Sequence, residues 1–286
     1  MLVGGVCGRW VGWWARVSND VGGRIERRGM SPAGGAARGL AGRRIRLQLV
    51  ASPTLADALF PRIESGSRVV VWAREIALIA GFAAFVALAA QIQVRVPWTT
   101  VPITGQTYAV LVAGGALGMR RGMGSLLLYM LVGMFVLPVF TPGSAATAGS
   151  WDAHFILPWA GNERVLWELA NGGYIVGFVL AAGLVGFLAE HRVDRGPWVQ
   201  VGMLAGNALL YVPGLLWLGY LIATDWTAPG GSAPLSELIA GSGDIDKTLK
   251  GGLYPFIVGD LMKLLGAAAT LPAAWWLVGK MRGSSS

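Results

Sequence analysis

A single cysteine and two histidines are all the thiol and imidazole ligands that the 286 residues contain. Cys7 alone supports neither a disulfide framework nor a thiolate metal cluster. No His-Glu-x-x-His motif, Asp-rich motif or Gly-x-x-x-x-Gly-Lys-Ser/Thr loop is present, which removes the usual signatures of zinc hydrolysis and of nucleotide hydrolysis. Charge is also scarce, at 13% of residues. What replaces it is apolar: 54% of residues are hydrophobic and the mean hydropathy is +0.57, beyond the range of ordinary soluble domains. The apolar residues come in uninterrupted runs without period-two alternation, so the expectation is membrane-spanning helices and not an outer-membrane barrel. A net charge of +8 invites a nucleic-acid reading. The placement of the charges rejects it, because the positive residues collect at the ends of apolar segments.

Composition changes near residue 68. The stretch before it, including "GGRIERRGMSPAGGAARGLAGRRIRLQLV", is too polar and too rich in glycine to bury a core, so 1–68 is expected to be a disordered tail whose arginines can touch anionic headgroups. Its first residues lack both a clean apolar core and a small-x-small site, so no cleaved signal is expected, and Met30 offers an equally good start. Residues 69–280 carry six apolar segments: Val69 to Ile92, Ile103 to Met119, Met123 to Val139, Gly173 to Glu190, Trp198 to Ala223 and Tyr254 to Val278. Residues 281–286 form a short C-terminal tail. The second and third segments are short for a straight span and are separated by "RRG", which suggests a tight hairpin.

Arginine and lysine then set the orientation. With the N terminus inside, the arginine-rich tail, Arg120, Arg121, Arg192, Arg195, Lys280 and Arg282 all fall on the cytoplasmic side. Arg95, Arg164, Lys247 and Lys250 are left outside, among the more numerous acidic residues. The expected fold is therefore an all-α integral membrane protein of the cytoplasmic membrane, a six-transmembrane-helix bundle with both termini cytoplasmic. His154 and His191 would then lie on opposite sides, unable to form one site, and an enzyme is not expected.

The last apolar segment, "YPFIVGDLMKLLGAAATLPAAWWLVGK", carries Asp260 and Lys263. Residues three apart share one face of a helix, so both charges enter the same volume near the outer end of the span. Either charge alone costs about 2.5 to 3.5 kcal/mol at the centre of a span. Two readings stand. The pair neutralises itself and knits the bundle, or it lines an outward polar ligand site, with the carboxylate accepting from N–H donors and the ammonium donating to a carbonyl. Other polar features fall at the same end. "VRVPWTTVPITGQTYAVL" brings Trp98, Thr104 and Gln106, with Pro97 and Pro102 interrupting any helix, so it reads as a loop over a pocket or as an interfacial turn. "ELANGGYIVGF" places Asn171, Gly172, Gly173 and Tyr174 at a helix start, where bare backbone can approach a ligand or simply turn.

The runs "VPITGQTYAVLVAGGALGMRRGMGSLLLYMLVGMFVLPVF", "NGGYIVGFVLAAGLVGFLAE" and "PFIVGDLMKLLGAA", in this order, resemble the BioY family, the biotin-binding S components of energy-coupling factor (ECF) vitamin transporters. The resemblance covers roughly 69–280. It implies six helices, capture of biotin from the outer face, and uptake driven by a transmembrane coupling subunit with ATPase subunits; membrane lipid is a further expected partner, and a homo-oligomer is also open. No cofactor is implied, since biotin is the cargo. It places the family's Gly-Asp-x-x-Lys on Gly259, Asp260 and Lys263, and its Pro-x-Thr-x-Gln-Thr on Pro102, Thr104, Gln106 and Thr107. Its Gly-Gly-Tyr falls on Gly172, Gly173 and Tyr174. Asn171 stands where many relatives have threonine, and the segments 150–169 and 225–250 are longer than usual. The alternatives are an S component for another vitamin, or a structural membrane protein with an internal Asp–Lys pair.

The first apolar segment carries Ala73, Ala77 and Gly81 at intervals of four, with Ala80 and Ala84 alongside. Such small-residue faces admit another helix closely. In the family an alanine-rich face of this helix docks the coupling subunit; internal packing explains the same pattern.

Overall fold

The computed structural model describes residues 54–61, 67–95, 99–141, 152–155 and 165–283. A helix occupies each of the six apolar segments: α2 (Arg68–Gln91), α3 (Gln106–Leu117), α4 (Met119–Phe135), α5 (Gly172–Glu190), α6 (Val199–Ala223) and α9 (Ile257–Gly283). Four helical stretches are long and apolar enough to cross a membrane: α2, α5, α6 and the run Asp244–Arg282 that contains α9. At 12 residues, α3 reaches only about 18 Å against a hydrocarbon core of about 30 Å. Its apolar character has another cause. Every residue of α3 except Tyr108 is buried, because α2, α4, α5, α6 and α9 all pack around it; a helix enclosed on every side has no polar face to keep.

The break between α3 and α4 falls at Gly118, ahead of the Arg120–Arg121 pair that the sequence suggested as the turn. Gly118 has φ +84°, and a Cβ there would stand 2.5 Å from Glu190 Oε1. Only glycine meets both demands cheaply. Arg120 and Arg121 follow within the first turn of α4.

Two expectations fail. The described residues are not all-α: Ile92–Arg95 (β1), Ile103–Thr104 (β2) and Asp152–Phe155 (β3) form an antiparallel sheet with β1 central. Gln93 pairs with Thr104, and β3 runs along the other edge from Ile92↔Phe155 to Arg95↔Asp152. The alternating, β-branched "IQVR" suits a strand, while the prolines that follow end it. The 1–68 tail reading also fails for 54–61. Thr54 caps a short helix, α1 (Leu55–Leu59), by accepting from the Asp57 amide, and Leu55, Ala56 and Ala58 are buried against α3 and α9. Arg282 donates to the Ala58 carbonyl at 2.6 Å. Asp57 pairs with Arg74 and Arg121, which both also pair with Glu75. The first 53 residues lie outside the described residues.

The 225–250 segment, expected as a polar loop, contains α7 (Leu235–Leu238) and α8 (Asp244–Gly252). Leu235 and Ile239 are buried in the main core with Ala228 and Leu218, which seats this segment on the end of α6. Most of 150–169 lies outside the described residues.

Candidate ligand-binding site

α9 begins after a short turn at Tyr254–Phe256, so Asp260 sits in its first turn, near the β-sheet end of the bundle. Asp260 is 4% exposed. Lys263 Nζ donates to Asp260 Oδ1 at 2.8 Å, which closes the pair that the i, i+3 spacing predicted. The other carboxylate oxygen is met from a second helix: Tyr211 Oη, on α6, donates to Asp260 Oδ2 at 2.5 Å. These side chains face a cleft between α3, α5, α6 and α9.

Gln106 begins α3 and works as a hub. Its Nε2 donates to Tyr129 Oη at 2.8 Å, while its Oε1 accepts from Thr141 at 2.9 Å and Thr104 at 3.0 Å. This network gathers β2, α3, α4 and the segment after α4 around one wall of the cleft. The opposite wall holds Asn171. It is buried, lines the cleft, and its Oδ1 has no hydrogen-bond partner among the described residues. A buried amide carbonyl without a donor is costly, so this oxygen is the unmet acceptor of the site.

Gly172 and Gly173 do not line the cleft. A Cβ on Gly172 would come 2.1 Å from the Leu166 carbonyl oxygen, and one on Gly173 would come 2.3 Å from Trp217 Cβ. The bare backbone of Gly172 admits the carbonyl of the preceding turn, and that of Gly173 the packing of α5 on α6. Tyr174 does line the cleft, but its hydroxyl is engaged, donating to the Gly252 carbonyl at 2.7 Å. Thr99 Oγ1 donates to the neighbouring Gly251 carbonyl, so the C-terminal end of α8 is pinned at two consecutive carbonyls, one from each side of the cleft mouth. Trp98 lies outside the described residues. Six predicted residues thus meet in one place: Asp260, Lys263, Thr104, Gln106, Asn171 and Tyr174.

The sequence reading missed Tyr211 and the apolar lining of Phe178, Leu210 and Phe256. Tyr211 left a signal, since a tyrosine inside an apolar span needs a partner for its hydroxyl. The aromatic and aliphatic lining left none, being indistinguishable from core.

On α2, Ala73, Ala77, Ala80, Gly81 and Ala84 are all exposed, and a Cβ on Gly81 would meet nothing within 4 Å. Ala83 and Ala87 face inward instead. Among the described residues the small-residue face has no helix against it, so internal packing does not account for it.

A helical membrane protein whose charged pair faces a cleft with an unmet acceptor belongs to the ligand-binding class of membrane proteins. The BioY family model matches residues 61–152 and 166–280, and the chain belongs to the BioY family. It is 32% identical over 161 residues to a probable biotin transporter BioY of Methanothermobacter thermautotrophicus, covering 55% of this chain and 83% of that one. It is 29% identical to the biotin transporter BioY of Thermotoga maritima, covering 61% and 81%. To a probable biotin transporter BioY of Pyrococcus horikoshii it is 28% identical, covering 67% and 90%. The solved S-component for biotin from an ECF-type ABC transporter aligns with 76% of this chain and 95% of its own, at 16% identity and a TM-score of 0.48.

Proposed function

We propose that this protein captures biotin at the outer face of the cytoplasmic membrane and is the substrate-binding S component of an ECF-type transporter. The observation that carries the reading is the Asp260–Lys263 pair, its carboxylate buried and its ammonium half-buried, facing a cleft that also presents Asn171 Oδ1 without a donor among the described residues. Biotin's ureido ring has two N–H donors and one carbonyl. Asp260 accepts from one N–H, Lys263 donates to the carbonyl, and Asn171 takes the second N–H, so each polar group in the cleft gains its complement. Phe178, Leu210, Phe256 and the ring of Tyr174 offer the apolar surface that the thiophane ring and valerate chain require.

In this reading the chain spans the membrane six times, α3 and α4 forming a short hairpin, with both termini cytoplasmic as the arginine and lysine placement indicates. The cleft then opens outward. The chain has no nucleotide-binding loop, so energy comes from ATPase subunits through a transmembrane coupling subunit, which docks on the exposed Ala73, Ala77, Ala80, Gly81 and Ala84 face of α2, where small residues permit close approach. Calorimetry of the purified protein with biotin, and with thiamine as control, tests the reading. Saturable binding of biotin alone is expected. Binding of thiamine in its place would assign the cleft to another vitamin, and binding of neither would remove the ligand-capture function.

A further inference from the structure

We propose that Tyr211 is the positioning residue for Asp260, fixing the plane of its carboxylate toward the ligand; the inference rests on the biotin reading and adds a residue to it. Asp260 has two side-chain torsions to fix. Lys263 cannot fix them, because it lies on the same helix at the end of a flexible four-carbon stem and follows wherever the carboxylate goes. Tyr211 approaches from α6 and donates to Oδ2 while Lys263 holds Oδ1. Donors on both oxygens, from two helices, leave one orientation and aim the remaining lone pairs in fixed directions.

Tyr211 is itself held. Its ring stands edge-on to Tyr174, with centroids 5.8 Å apart and planes at 87°. The Tyr174 ring lies so close over Gly214 that a Cβ there would come within 2.4 Å of it, and its hydroxyl is fixed to the Gly252 carbonyl. Rigid rings from α5 and α6, anchored to the end of α8, therefore set the position of one hydroxyl. A charge-assisted bond from a donor placed this way needs no rearrangement when the ligand arrives.

Tyr211→Phe keeps the ring and its edge contact and removes only the donor. Two readouts are needed: biotin affinity by calorimetry, and the Asp260 carboxylate stretch in ligand-free protein, identified by infrared difference against Asp260→Asn. The expected result is a shifted carboxylate band together with biotin binding weakened about tenfold. Unchanged affinity overturns the proposal, and so does weakened binding with the band unmoved, which would give Tyr211 a packing role or a direct ligand contact. Tyr174→Phe keeps the Tyr211 donor and the edge contact and loses only the anchor to Gly252, so it should shift the band less than Tyr211→Phe does; a shift as large as that of Tyr211→Phe also overturns the proposal. If the wild-type protein binds no biotin, the functional reading fails, while the band still reports whether Tyr211 orients Asp260.

Discussion

The two ends of the bundle both hold carboxylates beside cations, and they use them differently. At the end away from the cleft, Asp57 accepts from Thr54, Arg74 and Arg121, and Glu75 takes both arginines again. Each of these four charges has two partners of the opposite sign. Burial pushes the Asp57 carboxyl up, but the hydrogen bonds from Thr54 and Arg74 and the nearby Arg121 charge outweigh it and hold it below the ordinary carboxylate range. At the cleft end, one carboxylate faces one ammonium, and a neighbouring acceptor has no donor among the described residues. A saturated network makes structure; an unsaturated one of the same residue types leaves valences for something else.

That contrast can be broken most severely at Asp260. Asp260→Asn leaves Lys263 a half-buried charge without its carboxylate and trades the ligand's charged acceptor for a neutral amide, so biotin affinity should fall by about a hundredfold by calorimetry. At the saturated end, Arg121→Met strips Glu75 and Asp57 of a shared partner in a poorly exposed cluster. It should cost about 3 kcal/mol of stability, seen as a lower melting temperature in detergent, and leave biotin affinity unaltered. Asn171→Ala should do the reverse on a smaller scale. Affinity drops about tenfold while the melting temperature holds, because Oδ1 has no bond to lose within the described residues.

The smallest effect concerns a buried acid whose cation does not offset its burial. Asp194 lies in the turn between α5 and α6, and burial pushes its carboxyl up to about 6, against the pull of the Trp275 indole N–H and the Arg195 guanidinium. An acid raised in the folded state binds its proton more tightly there than when unfolded, so its contribution is greatest below the unfolded value and is lost as pH rises toward about 6. Asp194→Asn should therefore melt a few degrees higher than wild type at pH 7.5, the advantage shrinking as pH falls and vanishing below about 4. Thermal scans across that range check it.

Much of this was legible before any coordinates. Long apolar runs fix where helices lie because the period and length of a buried helix are written along one strand of sequence, and the i, i+3 spacing of Asp260 and Lys263 requires no tertiary information. Tyr211 reaches Asp260 only because α6 packs on α9, and α6 is so uniformly apolar that nothing in its sequence names the neighbour. α1 did leave a trace, since Thr54 and Asp57 have capping spacing, but the surrounding arginines and glycines hid a helix of five residues. The strands were masked by Pro97 and Pro102, which speak for a loop until β1 is seen to finish before the first and β2 to begin after the second. Gly172 and Gly173 misled in the opposite direction: glycine marks close approach, and only packing says to what.

The passage from α2 to β1 has a mechanical meaning. Gln91 ends the helix and Ile92 begins the strand, with no residue between them to act as a hinge, and β1 is bonded to β2 one residue before the turn into Gln106. A helix of 24 residues is a rod about 36 Å long. A tilt of about 10° about its Ala73 end would swing the other end by about 6 Å and carry β1, and with it β2 at the rim of the cleft, so the exposed flank of α2 and the cleft rim are joined by one stiff lever.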